Sequence, residues 1–265
     1  MAAGSGKSQA MTDNNLQHIA GQTDIGLLRH VNEDAFLIDQ QTRLYAVADG
    51  MGGHGSGDVA ANLALKTLHH CVTATNVQQA LSNSDISDNQ AKSLIYQCVA
   101  DANQSIYTEN VKSGLADGNG MGTTLVGLCR FGAANKAVLF NIGDSRVYRF
   151  QGGELKQLTT DHTMYKNWEA AGRIGPAPPR NIIMRAVGLF ASVDIDVDVI
   201  PFDVNASYLL CSDGLTGLVD DRDIADALQV AENAIDTNRL LVKTANERGG
   251  SDNITIITLL PEQHS

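Results

Sequence analysis

Apolar runs that end on an aspartate recur along this chain and constrain its fold more than any other feature of the sequence. They read Leu44-Tyr-Ala-Val-Ala-Asp49-Gly50, Phe140-Asn-Ile-Gly-Asp144-Ser-Arg146 and Tyr208-Leu-Leu-Cys-Ser-Asp213-Gly214, and a mirror version, Ser251-Asp252-Asn253, precedes the last apolar run. A turn alone accounts for any single Asp-Gly pair, because both residues suit tight turns. It does not account for a carboxylate after each buried strand. If the strand ends meet at one edge of a sandwich, the carboxylates share one small volume, and like charges that close are unfavourable unless a cation lies among them. Oxygen-only ligands suit Mg²⁺ or Mn²⁺ rather than zinc.

Strand patterns cover residues 43–48, 123–131, 137–142, 146–150, 194–200, 208–212 and 253–260. The segment from Arg146 reads as a hairpin turning at Gly152-Gly153. Helical periodicity covers 57–72, 90–112, 221–230 and 238–248, the second placing Leu94, Cys98, Ala102 and Ile106 on one stripe. Strands that follow strands directly, with helices in groups, argue an α+β fold with antiparallel sheet. No repeat, proline-rich linker or charge block divides residues 16–261, which read as a single domain behind a flexible tail of residues 1–15. Three of the five prolines crowd into residues 175–179, an irregular loop.

With 265 residues, 43% of them hydrophobic, the chain can bury a sizeable core. Its 19 basic residues against 30 acidic ones give a net charge of −11, which makes nucleic acid and anionic membrane poor partners. No apolar stretch approaches the roughly 20 residues of a membrane helix, and the N-terminus lacks the apolar segment of a secretory signal, so a cytoplasmic location is expected. The four cysteines, Cys71, Cys98, Cys129 and Cys211, form no C-x-x-C and read as reduced core residues, neither disulfides nor a zinc site. None has arginine six residues later, which excludes a cysteine-dependent phosphatase. Gly50-Met-Gly52-Gly-His-Gly55 imitates a dinucleotide fingerprint, but the acid about 20 residues on is missing and Asp49 would face a pyrophosphate. Asp194, Asp196 and Asp198 alternate and so share one strand face, most simply the solvated one. Arg29 precedes Glu33-Asp34 by four residues, a spacing that suits either a fork for phosphate or a surface ion pair.

Eight motifs stand in one order: Arg29-x-x-Asn-Glu-Asp34, Asp49-Gly-Met-Gly-Gly-His54, Met121-Gly-Thr-Thr124, Asn141-Ile-Gly-Asp-Ser-Arg146, Leu158-Thr-Thr-Asp-His162, Arg185-Ala-x-Gly188, Ser212-Asp-Gly-Leu215 and Asp252-Asn-Ile-Thr255. In that order, over residues 18–260, the chain resembles bacterial type 2C (metal-dependent, PPM family) protein serine/threonine phosphatases. The resemblance implies a four-layer αββα sandwich, two antiparallel sheets flanked by pairs of helices. It implies hydrolysis of phosphoserine and phosphothreonine in proteins by a hydroxide bridging two Mn²⁺ or Mg²⁺ ions, with no phosphoenzyme intermediate. Asp49 matches the aspartate that bridges the two ions, and Gly50 the residue whose carbonyl helps bind one of them. Asp213 and Asp252 match ligands of the other, Glu33 an acid acting through bound water, and Asp144 a ligand, with Asp213, of a third, weaker ion. Arg29 matches the arginine that grips the phosphate.

The leaving alkoxide needs a proton, for which His54 and His162 are candidates; Met51 stands where animal relatives carry a histidine. Between His162 and Arg185 the relatives have a mobile flap, here short and stiffened by proline, which predicts a more open site. The implied partners are phosphorylated proteins and a serine/threonine kinase opposed by a monomeric phosphatase. The alternative is a catalytically weak, phosphoprotein-binding relative of the same fold. Loss of a core aspartate would mark it, and Asp49, Asp213 and Asp252 are all present.

Overall fold

The computed structural model describes residues 18–52, 56–115, 117–133 and 135–261; the tail of residues 1–15 and His54 lie outside them. In chain order the elements are β1 (Ile19–Asp24), β2 (Asp34–Asp39), β3 (Leu44–Met51), α1 (Gly57–Thr73), α2 (Thr75–Ser82), α3 (Asp88–Lys112), β4 (Gly122–Thr123), β5 (Leu125–Phe131), β6 (Lys136–Ile142) and β7 (Arg146–Gln151). There follow β8 (Glu154–Gln157), α4 (Met164–Ala170), β9 (Asp196–Pro201), β10 (Ser207–Cys211), α5 (Asp213–Thr216), α6 (Asp221–Gln229), α7 (Ala234–Glu247) and β11 (Ile254–Leu259).

Alternation along the strands sorts their side chains into separate apolar layers. On β3, Leu44, Ala46 and Ala48 pack under α1 and α3 with Ala64, Leu68, Ile95 and Val99. Tyr45 and Val47, between them in sequence, face the other sheet and meet Val126, Leu128, Tyr208, Leu210 and Ile257. On the far side Tyr148, Leu209 and Ile256 pack under α6 and α7 with Ile224, Leu241 and Ala245. The result is the expected α+β sandwich of two antiparallel sheets between helices, ordered β1-β11-β10-β7-β8 and β2-β3-β5-β6-β9, with β4 paired to β3.

The periodicity misses β1, β2, α2, α4 and the single-turn α5; β1, β2 and α4 are half-buried along most of their length, so their residues alternate weakly, and α2 and α5 are too short to show a stripe. Helix α7 begins at Ala234, ahead of the periodic stripe, because Asn233 caps it by accepting from the Asp236 amide at 2.8 Å. The acids of the 194–198 run are solvent-exposed, as the alternation predicts.

The cysteine expectation needs a correction. Cys71, near the end of α1, and Cys98, in the middle of α3, form a disulfide with their Cα atoms 5.4 Å apart. Only Cys129 and Cys211 are free and buried. Sequence spacing hides the pairing because it depends on how α1 and α3 pack against each other. The crosslink joins residues 27 apart, and a loop of that size stabilises a fold by about 3 kcal/mol through lost unfolded-state entropy. Reduction with dithiothreitol, or a Cys71→Ser/Cys98→Ser pair, is therefore expected to lower the melting temperature by roughly 5–10 °C in a calorimetric scan. An unchanged melting temperature would remove the crosslink from the account of stability.

Candidate active site

The same alternation that buries Tyr45 and Val47 between the sheets carries Asp49 to the end of that layer, at one rim of the sandwich. Pairing of β2 with β3 sets Asp34 directly opposite Asp49. The end of β10 delivers Ser212 and Asp213 to this rim, the start of β11 delivers Asp252, and the loop between β1 and β2 delivers Arg29 and Glu33.

Hydrogen bonds fix this scaffold. The Asp49 amide donates to Thr124 Oγ1 (3.0 Å), and its carbonyl accepts from the Thr124 amide (2.8 Å) and from Thr123 Oγ1 (2.9 Å). Asp34 Oδ2 accepts from Ser212 Oγ at 2.7 Å, and that hydroxyl accepts from the Thr255 amide at 3.0 Å. Glu33 Oε1 accepts from the Gly57 amide at the start of α1 (2.9 Å), where the helix dipole also favours a carboxylate. Asn253 ties the loops together: its Oδ1 accepts from the Glu33 amide (2.9 Å), and its Nδ2 donates to the carbonyls of Ile25 (2.9 Å) and Val31 (3.0 Å). A side chain at Gly50 would run into the carbonyl oxygens of Gly57 and Glu33, so only glycine allows the turn after Asp49.

Charge is concentrated here against a cost. Burial raises the Asp49 carboxyl well above its usual range, and Asp34, Asp213, Asp144 and Asp252 push it further the same way. Burial pushes Asp34 up to about 7 against the hydrogen bonds of Ser212 and Thr255. Asp144 is also pushed up to about 7, by burial first and then by Asp213 and Asp161. Burial and the Asp252 charge raise Asp213, opposed by a hydrogen bond with Asp49. Arg29 Nη2 meets Asp252 Oδ2 at 2.7 Å with about half of its side chain exposed, and this bond holds the guanidinium charged.

These residues fit a hard divalent cation. The donor set is all oxygen, and Asp34 Oδ1 and Asp144 Oδ1 are buried without a hydrogen-bond partner. Among the described residues no three carboxylate, imidazole or thiol groups already gather at metal-binding spacing. Two of the expected ligands are engaged elsewhere, Asp252 by Arg29 and Glu33 by the Gly57 amide.

Asp49, Gly50, Asp144, Asp213, Asp252, Glu33 and Arg29 thus come to one rim, while His54 lies outside the described residues. His162 is buried with both ring nitrogens in use: Nδ1 accepts from the Gly143 amide (3.1 Å), and Nε2 faces Asp196 Oδ2 (3.0 Å) and Arg185 Nη1 (3.2 Å). It braces the β6–β7 turn against β9. Asp34 is the member that the candidate ligands omit. It stands in the Arg29 to Asp34 motif, but only strand register sets it against Asp49.

Beside the cluster, α4 and the following loop form one wall of a cavity of about 310 Å³, lined by Asp144 and Asp213 on one side and by Tyr165, Lys166 and Arg180 on the other. The loop is exposed over 171–177, and Trp168 Nε1 pins it through the carbonyls of Ile174 (3.0 Å) and Gly175 (3.2 Å).

Comparison with known proteins gives a consistent picture. Residues 29–247 match the family model of protein phosphatase 2C. The serine/threonine phosphatase Stp of Listeria welshimeri is 35% identical over 250 residues, which span 91% of this chain and 94% of that protein. The crystal structure of the serine/threonine phosphatase PstP of Mycobacterium tuberculosis superposes with a TM-score of 0.78 at 34% identity, covering 92% of this chain and 98% of that one. A structure of the PstP catalytic domain in complex with two manganese ions superposes with a TM-score of 0.74 at 33% identity, with the same coverage of 92% and 98%.

Proposed function

Because the chain belongs to the protein phosphatase 2C family and is a protein serine/threonine phosphatase, we propose that its carboxylate rim holds two divalent cations, Mn²⁺ or Mg²⁺, and hydrolyses phosphoserine and phosphothreonine by direct attack of water on phosphorus. The observation that carries this reading is the half-buried Asp49 carboxylate at the rim, with Asp34 directly opposite it across the β2–β3 ladder and with Asp213, Asp144 and Asp252 near enough to push its pKa the same way. Asp49 would bridge the two ions, the Gly50 carbonyl would serve one, Asp213 and Asp252 the other, and Glu33 would act through water. Asp144 with Asp213 would take a third, weaker ion. Asp34 is the support beneath Asp49, held by Ser212. When bound, the ions supply a water of lowered pKa and positive charge facing the phosphoryl oxygens.

The remaining work falls to the chain's own groups. Arg29 commits one nitrogen to Asp252, and the rest of its planar fork is open to pair with phosphate oxygens and to stabilise charge that grows on them. Thr123 and Thr124 hold the Asp49 backbone at the rim through its amide and carbonyl. No thiol competes as nucleophile, because burial pushes the Cys129 and Cys211 thiols up to about 12. His54 is the proton donor for the leaving alkoxide in this reading, since His162 has no ring nitrogen to spare. A serine/threonine kinase makes the phosphoesters consumed here, so the chain opposes such a kinase.

The test is turnover of a phosphothreonine peptide with Mn²⁺, repeated after EDTA. Activity is expected with the ion and is expected to vanish on chelation, returning when Mn²⁺ is restored. Turnover that survives chelation overturns the reading, and peptide binding without turnover at any Mn²⁺ concentration marks a binding relative instead.

A further inference from the structure

Exposed apolar side chains gather beside the arginine assigned to the phosphate. In the loop between β1 and β2, Ile25 is 40% exposed, Leu27 64%, Leu28 67% and Val31 48%, and Arg29 stands among them with about half of its side chain in solvent. Exposed apolar residues scattered singly are ordinary, whereas a group of them within residues 25–31 marks an interaction surface.

The loop is held through its backbone, and its apolar side chains take no part in that. Asn253 Nδ2 donates to the carbonyls of Ile25 (2.9 Å) and Val31 (3.0 Å), which draws the two ends of the stretch together. The amides of Leu27 and Leu28 donate to the Gly250 carbonyl at 2.7 and 3.3 Å. Gly26 makes the turn with φ +75°, and a side chain there would run into the carbonyl oxygens of Asp252 and Gly250. With the backbone set in this way, the two leucines bury little of their surface and contribute little to the stability of the fold. What they share with the site is position. Leu28 adjoins Arg29, so that the two Cα atoms are about 3.8 Å apart. Leu27 also lines an open groove of about 530 Å³ together with Val242, Arg239 and Lys243 of α7.

We infer that Leu27, Leu28 and Val31 seat a bulky apolar side chain that stands within two residues of the phosphoserine or phosphothreonine, so that this phosphatase selects its sites by an apolar neighbour. The inference rests on the reading of Arg29 as the phosphate grip. An extended peptide advances about 3.3 Å per residue, so a segment with its phosphate on the Arg29 fork brings the adjoining residues within reach of this loop. The net charge of −11 repels a phosphorylated segment at long range, and apolar burial supplies an attraction that does not depend on charge. Because the loop is already pinned, binding does not have to order it.

The test compares kcat/KM of the full chain with Mn²⁺ on phosphothreonine peptides that carry leucine or serine at the two positions on either side of the phosphothreonine, the rest of the sequence being constant and polar. p-Nitrophenyl phosphate serves as the substrate without neighbours. Leucine is expected to raise kcat/KM about tenfold, chiefly through KM. In Leu27→Gln/Leu28→Gln that preference is expected to fall to about twofold, each peptide being read against p-nitrophenyl phosphate with the same variant. Both side chains are exposed, so the variant should melt with the parent, and the peptide comparison on the parent chain needs no variant. If p-nitrophenyl phosphate and all peptides stay intact with Mn²⁺, the metal-dependent reading of the site fails and takes this inference with it. If all are hydrolysed but leucine and serine peptides are equal, this inference alone fails. A leucine preference that survives Leu27→Gln/Leu28→Gln overturns it as well. So does a dimer of the parent chain, seen by sedimentation, that the same variant converts to monomer, because the surface would then belong to a second copy.

Discussion

Replacing Asp49 by asparagine is expected to abolish turnover and at the same time to raise the stability of the metal-free protein. The carboxylate is half-buried and surrounded by Asp34, Asp213, Asp144 and Asp252, which makes its ionised form costly without a counter-charge. An amide of the same shape carries no charge, so burial and repulsion both ease, by roughly 2 kcal/mol in all. The same change removes a negative ligand that both ions would share. Loss of that ligand is expected to lower kcat/KM on a phosphothreonine peptide on the order of 10³-fold or more, about 4 kcal/mol of transition-state stabilisation. Steady-state kinetics and a melt in EDTA read the two effects separately. Activity within tenfold of the parent would remove Asp49 from the centre. A lower melting temperature in EDTA would mean that its hydrogen bonds outweigh the repulsion.

The metal-free protein should also become more stable as the pH falls from about 7.5 to 5.5, against the usual direction for a carboxylate-rich chain. Asp34 and Asp144 titrate near 7 in the folded protein, whereas an unfolded aspartate titrates near about 3.9. The folded state therefore holds protons that the unfolded state releases. Stability from these groups is fully present below about pH 4 and is lost as the pH rises through about 7. Between about pH 5.5 and 7.5 the loss is about 2 kcal/mol for each group. Calorimetry in EDTA at the two pH values is expected to give the higher melting temperature at the lower pH. Mn²⁺ is expected to raise the value at about pH 7.5 most, because there the carboxylates are free of protons and available to it. A melting temperature in EDTA that rises with pH would contradict the burial of both groups.

Both predictions rest on aspartates that differ in how visible they are in the sequence. Asp49, Asp144 and Asp213 close apolar runs, and the pattern repeats often enough to mark them as a set. Arg29 and Glu33 are visible only through the order of motifs, since their local spacing suits a surface ion pair equally well. The role of Asp34 depends on the β2–β3 register. His162 has the chemistry of a proton donor, but both of its ring nitrogens are in use by Gly143, Asp196 and Arg185.

Taken alone, the sequence determined the strand and helix stripes, the antiparallel α+β class and the carboxylates at the strand ends. It could do so because one-sided burial imposes a period of two on a strand and of about 3.6 on a helix, and both are local. Tertiary structure alone decided which ends meet. The contacts that build the rim join Arg29 to Asp252 across 223 residues, Glu33 to Asn253 across 220 and Asp34 to Ser212 across 178. The Cys71–Cys98 crosslink and the pinning of the apolar 25–31 loop by Asn253 have the same origin. Each depends on which surfaces two sheets and their helices bury against one another, and no periodicity within a single segment records that choice.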